Sequence, residues 1–266
     1  MGCKGRRNGD DDGDRRLIRR HYVDVPQGQL HLRENGAVGG VPLVCLHATA
    51  YSSRTFGALL AALDRPGIAV DTPGYGESDA LSGQPAIADY AAGMIEGLPK
   101  RFDLLGYHTG VAIAAEIALR WPERVGKLTL MGVPHFKALD FAHWRERLAS
   151  KHVIGDDLAQ FEERWRFLVE TRPEGLTLRR GFENFIDELK AWPDGWRSHA
   201  ALFEWDLPAR FALIEQPVTI LNPPGHLAEP SRQAASFIAK ATLIELPGLT
   251  GAFLEIHAAK LAELLT

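Results

Sequence analysis

"FDLLGYHTGVAIAAEIALRWPERVGKLTL", residues 102–130, decides the fold. Its first segment, Phe102 to Gly106, is short and continuously apolar, the pattern of a strand buried on both faces. A tight Gly-Tyr-His-Thr-Gly turn follows, then a small-residue helix over 109–121 and a second apolar strand over 127–132. Strand, turn, helix, strand is the repeating unit of a parallel sheet. Gly106 and Gly110 let the backbone turn sharply between strand and helix. That turn throws His108 into the space above the sheet. It also leaves the N–H of Thr109 at a helix N-terminus, where free donors and the positive end of the dipole coincide.

The same alternation extends in both directions. "VPLVCL" (41–46), "IAVD" (68–71), "PVTILN" (217–222) and "ATLIEL" (241–246) are further buried strands. Helical patterns lie near 55–63, 85–98, 230–239 and 253–265. "RRHYVDV" and "QLHLREN" alternate polar and apolar around Pro26-Gln27-Gly28, which reads as a hairpin at the sheet edge. The expected fold class is therefore α/β, with an eight-stranded, mostly parallel sheet flanked by helices. The alternation fails once, over 138–212, which is helical and rich in Trp and Phe. It reads as a helical cap inserted after the sixth strand, leaving 17–137 and 213–266 as the core domain.

The bulk numbers exclude several classes. With 45% hydrophobic and 24% charged residues in 266, the chain has ample apolar surface for one large core. A net charge of -4 offers no electrostatic basis for binding nucleic acid or an anionic membrane. No apolar run approaches the roughly 20 residues that cross a bilayer. Residues 1–16, polar and glycine-rich with blocks of opposite charge, read as a disordered tail without the apolar region of a signal peptide. Arg6 stands where myristoylation at Gly2 would want Ser or Thr. The two cysteines, Cys3 and Cys45, make a disulfide framework improbable and a cytoplasmic location the default.

Taken in order, "LVCLHATAYSSRTF", "VDTPGYGESD", "LLGYHTGVAIAAEIAL", "RVGKLTLMGVP" and "IELPGLTGAFLEIH" resemble the α/β-hydrolase superfamily over roughly residues 20–266. More narrowly, the chain is similar to bacterial members with a His-Thr-Gly elbow. The resemblance implies that the turn at 106–110 is the nucleophile elbow, with His108 in the place of the serine. It implies that the "HATA" loop supplies a second oxyanion donor, the N–H of Thr49, with Ala48 where glycine is usual. His47, Asp71 and Glu77 match family positions that are structural. The family's acid follows the seventh strand, where this chain reads "LNPPGHLAEP". The family's catalytic histidine falls on Gly251 or Ala252 in "LTGAF", and His257 lies further on in an amphipathic helix. Serine, acid and base are thus all replaced, and a Ser-His-Asp mechanism is unavailable.

In their place, histidines stand at or just past the ends of the strands expected to be neighbours: His108, His135 in "GVPHF", and His226. That carboxyl edge is where such sheets place their sites. Three readings stay open. In the first, a largely neutral imidazole of His108 acts without cofactor as nucleophile or general base, in hydrolysis or lyase-type cleavage of a small acid derivative or carbonyl compound. The backbone donors at Thr49 and Thr109 would hold the developing oxyanion. In the second, the three imidazoles hold a metal ion, with Glu229 a further candidate. In the third, the pocket only binds a ligand. The cap residues Trp144, Trp165, Phe167, Phe182, Phe185, Trp192, Trp196, Phe203 and Trp205 point to a small apolar or aromatic partner, most of them being packing residues. Tyr51, Tyr107, Trp144 and Trp165 are the candidate substrate contacts. A monomer or homodimer is expected.

Overall fold

The computed structural model describes residues 17–156 and 158–266, so the tail and Cys3 lie outside the described residues. Strands β1 (Arg19–Val25), β2 (Gly28–Glu34), β3 (Leu43–Leu46), β4 (Gly67–Val70), β5 (Phe102–Tyr107), β6 (Val125–Met131), β7 (Val218–Asn222) and β8 (Ala241–Glu245) form one sheet. Its order is β1-β2-β4-β3-β5-β6-β7-β8. The β1–β2 hairpin and the β2–β4 pair are antiparallel, and every other pair is parallel. Strands five, six and seven are neighbours, which brings their carboxyl ends to one edge.

The apolar runs are explained by helices on both faces. Side chains alternate across a strand, so Val44, Leu46, Val70, Leu104, Leu130 and Ile220 enter one core. Leu43, Cys45, Ala69, Leu105, Met131 and Leu221 enter the other. The first core is closed by α2 (Ile87–Ile95), α3 (Thr109–Arg120) and α9 (Ala228–Ala235), the second by α1 (Gly57–Ala62), α10 (Phe253–Ile256) and α11 (Ala258–Leu264). Helix α3 can lie tightly on the sheet because Val111, Ala112, Ala114, Ala115 and Ala118 are all fully buried.

Between β6 and β7 come α4 (Phe141–Ala149), α5 (Ala159–Trp165), α6 (Leu178–Ala191), α7 (Arg197–Glu204) and α8 (Leu207–Phe211). The apolar faces of α7 and α8 join the first core: Ala201, Leu202, Phe203, Leu207 and Phe211 are buried in it. Phe203 stacks on Phe136 at 4.6 Å between ring centroids. A buried carboxylate fixes the join. Glu116 of α3 accepts from Arg210 at 2.9 Å and from the Trp205 indole at 3.3 Å, and it pairs with Arg120 at 3.1 Å. Removing one partner of such a network leaves the others uncompensated. Glu116→Ala should therefore lower stability by about 2 kcal/mol in a denaturant titration, through loosening of α8 from α3. An unchanged midpoint would show that the ion network does not hold the inserted helices.

Candidate active site

The turn at the end of β5 has the geometry that throws its central side chain upward. His108 adopts φ 54° and ψ −119°, the one positive φ outside glycine among the described residues. Such a conformation costs on the order of 1–3 kcal/mol and persists only where the surroundings enforce it. Enforcement is visible. The His108 N–H donates to Met131 O at 3.0 Å, continuing the β5–β6 ladder, while its carbonyl accepts from Val111 N at 2.9 Å and starts α3. A Cβ on Gly106 would stand 2.6 Å from Gly110 O and 2.8 Å from Ala114 Cβ. One on Gly110 would stand 2.3 Å from Leu46 O. Only hydrogen fits at either place.

The loop after β3 is held beside this turn. His47 is buried, with Nδ1 2.9 Å from Ala48 O and Nε2 accepting from Thr72 N at 2.9 Å, so both ring nitrogens are committed to the backbone. Asp71 takes His31 Nδ1 at 2.8 Å, Ser53 N at 2.6 Å and Glu77 N at 2.9 Å. Burial alone would raise its pKa, but the bond to His31, the charge of His47 and the bonds to Ser53 hold it well below the usual carboxylate range. The Thr49 N–H lies beside the elbow, yet it is not free: it donates to the Thr109 hydroxyl at 3.4 Å. The expectation that Thr49 N is an open oxyanion donor is corrected to this extent: the Thr109 side chain occupies its reach. The Thr49 hydroxyl meets Ser198 Oγ of α7 at 2.5 Å, and Tyr75 OH donates to the same Ser198 oxygen at 2.7 Å. This chain of hydroxyls ties the loop to the inserted helices.

The three histidines do not form one cluster. His108 and His226 approach with ring centroids 6.3 Å apart, and His226 stacks on Trp144 at 6.0 Å. His135 does not join them. Gly132 turns the chain through φ 63°, the Val133 N–H is anchored on Ser231 Oγ at 3.0 Å, and His135 is carried against Phe237 at 5.3 Å. Among the described residues no three His, Cys, Asp or Glu side chains are grouped to hold a metal ion. Glu229 pairs with Arg232 at 3.0 Å instead. Another histidine that the sequence reading did not single out, His199 of α7, adjacent in sequence to Ser198, is buried within the electrostatic reach of His108. Nothing in its helical context distinguished it in the sequence.

Burial, then the charge of His226, presses the pKa of His108 down to about 4, and its Nδ1 is buried without a partner. Burial, then the charges of His108, His152 and Arg164, takes His199 down to about 3. His226 is lowered by burial as well. All are neutral at pH 7. Because these folded-state values lie below the unfolded value of about 6.5, the unfolded chain binds more protons between the two. Stability should therefore be intact above pH 6.5 and fall as pH drops toward 4, by about 3 kcal/mol at most from His199 alone. Melting temperature followed from pH 7 to 4.5 should decline steadily, and His199→Gln should flatten the decline. A profile that His199→Gln leaves unchanged would contradict the burial of a neutral imidazole there.

At the end of β7, Asn222 donates to both Glu245 oxygens at 3.1 and 3.0 Å, and Glu245 also pairs with Arg232 at 2.7 Å. Gly251 has φ 63°, and a Cβ there would stand 2.4 Å from Glu174 O in the loop before α6. The Ala252 N–H donates to that same carbonyl at 2.8 Å. Beside this junction is a cavity of about 240 Å³, walled by Tyr51, Tyr107, Phe167, Arg180, Asn184 and Ala252 among others. None of His108, His135 and His226 lies on its wall. Tyr107 stands between, its ring edge-on to both His108 (6.2 Å) and Phe253 (5.9 Å). Of the expected contacts, Tyr51 and Tyr107 reach the cavity and Trp144 reaches His226. Trp165 is spent on Phe182 at 6.0 Å and Phe185 at 5.4 Å, packing α5 on α6.

Comparison with known proteins follows the same outline. A family model described as a thioesterase domain matches residues 41–227. The chain is 30% identical to 2-hydroxymuconate semialdehyde hydrolase of a Pseudomonas species, over 88% of each chain. It is 34% identical to pimeloyl-[acyl-carrier protein] methyl ester esterase of Shewanella woodyi, over 43% of this chain and 44% of that one, so it matches less than half of that esterase. In fold it is similar to a hydrolase from Pseudomonas aeruginosa PA01, with a TM-score of 0.74 at 23% identity over 92% of this chain and 97% of that one. No helix among the described residues is long and apolar enough to cross a membrane.

Proposed function

Since this chain belongs to the thioesterase-domain family of the α/β-hydrolases, we propose that it hydrolyses small, activated, apolar or aromatic acyl compounds without a cofactor, using the imidazole of His108 where relatives use serine. One observation carries this reading: a neutral imidazole stands at the apex of a strained elbow, next to a helix N-terminus. Nδ1 is closed off by burial, so Nε2 is the attacking atom. Its lone pair adds to the carbonyl carbon, and the carbonyl electron pair moves to oxygen, to which the Thr109 N–H donates a hydrogen bond. Collapse of that oxyanion expels the leaving group and leaves an acyl-imidazolium, which water hydrolyses to the acid, regenerating the ring. No acid stands ready to protonate the leaving group, so the substrate must depart as a stable anion, such as a thiolate or a phenolate. Residues 138–212 act as a cap over the elbow, with Trp144 and His226 as one wall.

A second reading is favoured by a specific feature: among the described residues no carboxylate is bonded to His108, and the loop after β7 and the turn before α10 carry Gly225-His226 and Gly251-Ala252 where the resemblance implies an acid and a base. In that reading the protein binds small molecules and does not turn them over. Stopped-flow release of p-nitrophenol from p-nitrophenyl acetate separates the two. Catalysis predicts a burst stoichiometric with enzyme that His108→Ala abolishes. Equal, burst-free release by both proteins would leave binding as the function.

A further inference from the structure

The cavity beside Tyr107 is lined by polar groups that the chain itself leaves unsatisfied. Arg180 Nε donates to Glu255 at 2.7 Å, but Nη1, 3.6 Å from Glu183, is buried without a hydrogen-bond partner. The Asn184 carboxamide oxygen is buried and unpartnered too. Both side chains come from one face of α6, one turn apart, and both line the cavity. Turning the Asn184 amide about its terminal torsion presents either of its ends to the space. Tyr51, Tyr107, Phe167 and Phe253 give the rest of the wall its aromatic part, with Leu168, Pro173, Leu176 and Leu254 as aliphatic neighbours. Phe167 is placed there by the wide π-type turn Arg166–Glu170, an irregularity that recurs at functional sites.

Size and charge narrow the occupant. The volume of about 240 Å³ exceeds the roughly 150 Å³ that accepts benzene. It falls below the roughly 300–1,000 Å³ of drug-sized pockets. One ring with one substituent fits. Arg180 pairs with Glu255, and Glu183 beside it is shared with Arg54 at 3.9 Å, so these charges balance; burial pushes the Tyr107 phenol up to about 12, so it is uncharged. An incoming carboxylate would have to displace Glu255, and a cation would meet Arg180.

We propose that this cavity is a binding site for a neutral, single-ring aromatic carrying a carboxamide or an equivalent acceptor and donor pair. The ligand carbonyl accepts from Arg180 Nη1, its N–H donates to Asn184, and its ring packs among the tyrosines and phenylalanines. The floor exists because Glu174 docks on the backbone of Gly251 and Ala252, and because the side chain at 252 is only a methyl group. No bond is broken at this site, and the inference does not depend on His108 being catalytic.

Isothermal titration of the full chain with benzamide, benzoate and benzamidine tests it, since the three share a shape and differ in charge. Benzamide should bind at least about tenfold tighter than either ion, and Asn184→Leu should weaken it about tenfold by removing one buried partner. Ala252→Phe should abolish binding by filling the cavity. Residue 252 has φ −80°, which any side chain tolerates, so this variant should keep a wild-type melting curve. Benzoate or benzamidine binding as tightly as benzamide, no benzamide binding at all, or benzamide binding that survives Ala252→Phe would each overturn the proposal.

Discussion

Gly110→Val should destabilise the protein by more than about 3 kcal/mol, the upper end of overpacking faults. The first added carbon would stand 2.3 Å from Leu46 O, 2.7 Å from Leu46 C and 3.0 Å from His47 O. All three are backbone atoms of β3 and the loop after it, so no side chain can rotate away. Relief would have to separate α3 from the sheet, and α3 carries much of the first core. At about 2–4 °C per kcal/mol for a chain of this size, the melting temperature should fall by at least about 6 °C. Gly57→Ala is the control: Gly57 is helical with φ −55°, and a Cβ there meets nothing within 4 Å. It should melt like wild type. A Gly110→Val melt within error of wild type would contradict the elbow itself.

The second large effect concerns pH and the identity of residue 108. If His108 attacks as a free imidazole, rate should follow a single ionisation of that ring. Protonation removes the attacking lone pair, so activity is lost on the acid side. Burial and the neighbouring His226 place that limb near pH 4, well below the ordinary 6.5 of histidine. Burst amplitude should therefore be flat from about pH 5 upward. An imidazole this weakly basic suits only good leaving groups, so aryl esters and thioesters should react while alkyl esters and amides do not. His108→Ser should be as inactive as His108→Ala, because a serine hydroxyl needs a base to take its proton. An acid limb near 6.5, or an active His108→Ser, would mean that another residue supplies the base.

The features that were legible in the sequence are those set by local pattern. Buried strands announced themselves because both of their faces are covered, and the elbow because two glycines bracket an apolar strand and a small-residue helix. The inserted helices showed as a break in alternation. What sequence reasoning missed depends on the path of the chain between elements. His135 was expected beside His108, but the left-handed turn at Gly132 and the Ser231 anchor send it toward α9. His199, which feels the charge of His108, comes from a helix whose pattern marks only a buried face. The cavity at Arg180 and Asn184 depends on Glu174 meeting Gly251, residues far apart in the chain, and no local signal records that contact. The engagement of Thr49 N by the Thr109 hydroxyl is a matter of one side-chain rotamer.

The most direct measurement of the central claim is chemical. The protein is mixed with p-nitrophenyl acetate, quenched in acid within the burst, digested and mapped by mass spectrometry. Acetyl should appear on the peptide containing His108, at the rate of the burst, decay at the steady-state rate, and be absent from His108→Ala. Acetyl appearing with burst kinetics on any other residue, or a burst with no acetyl on His108, would contradict the assignment of His108 as the nucleophile.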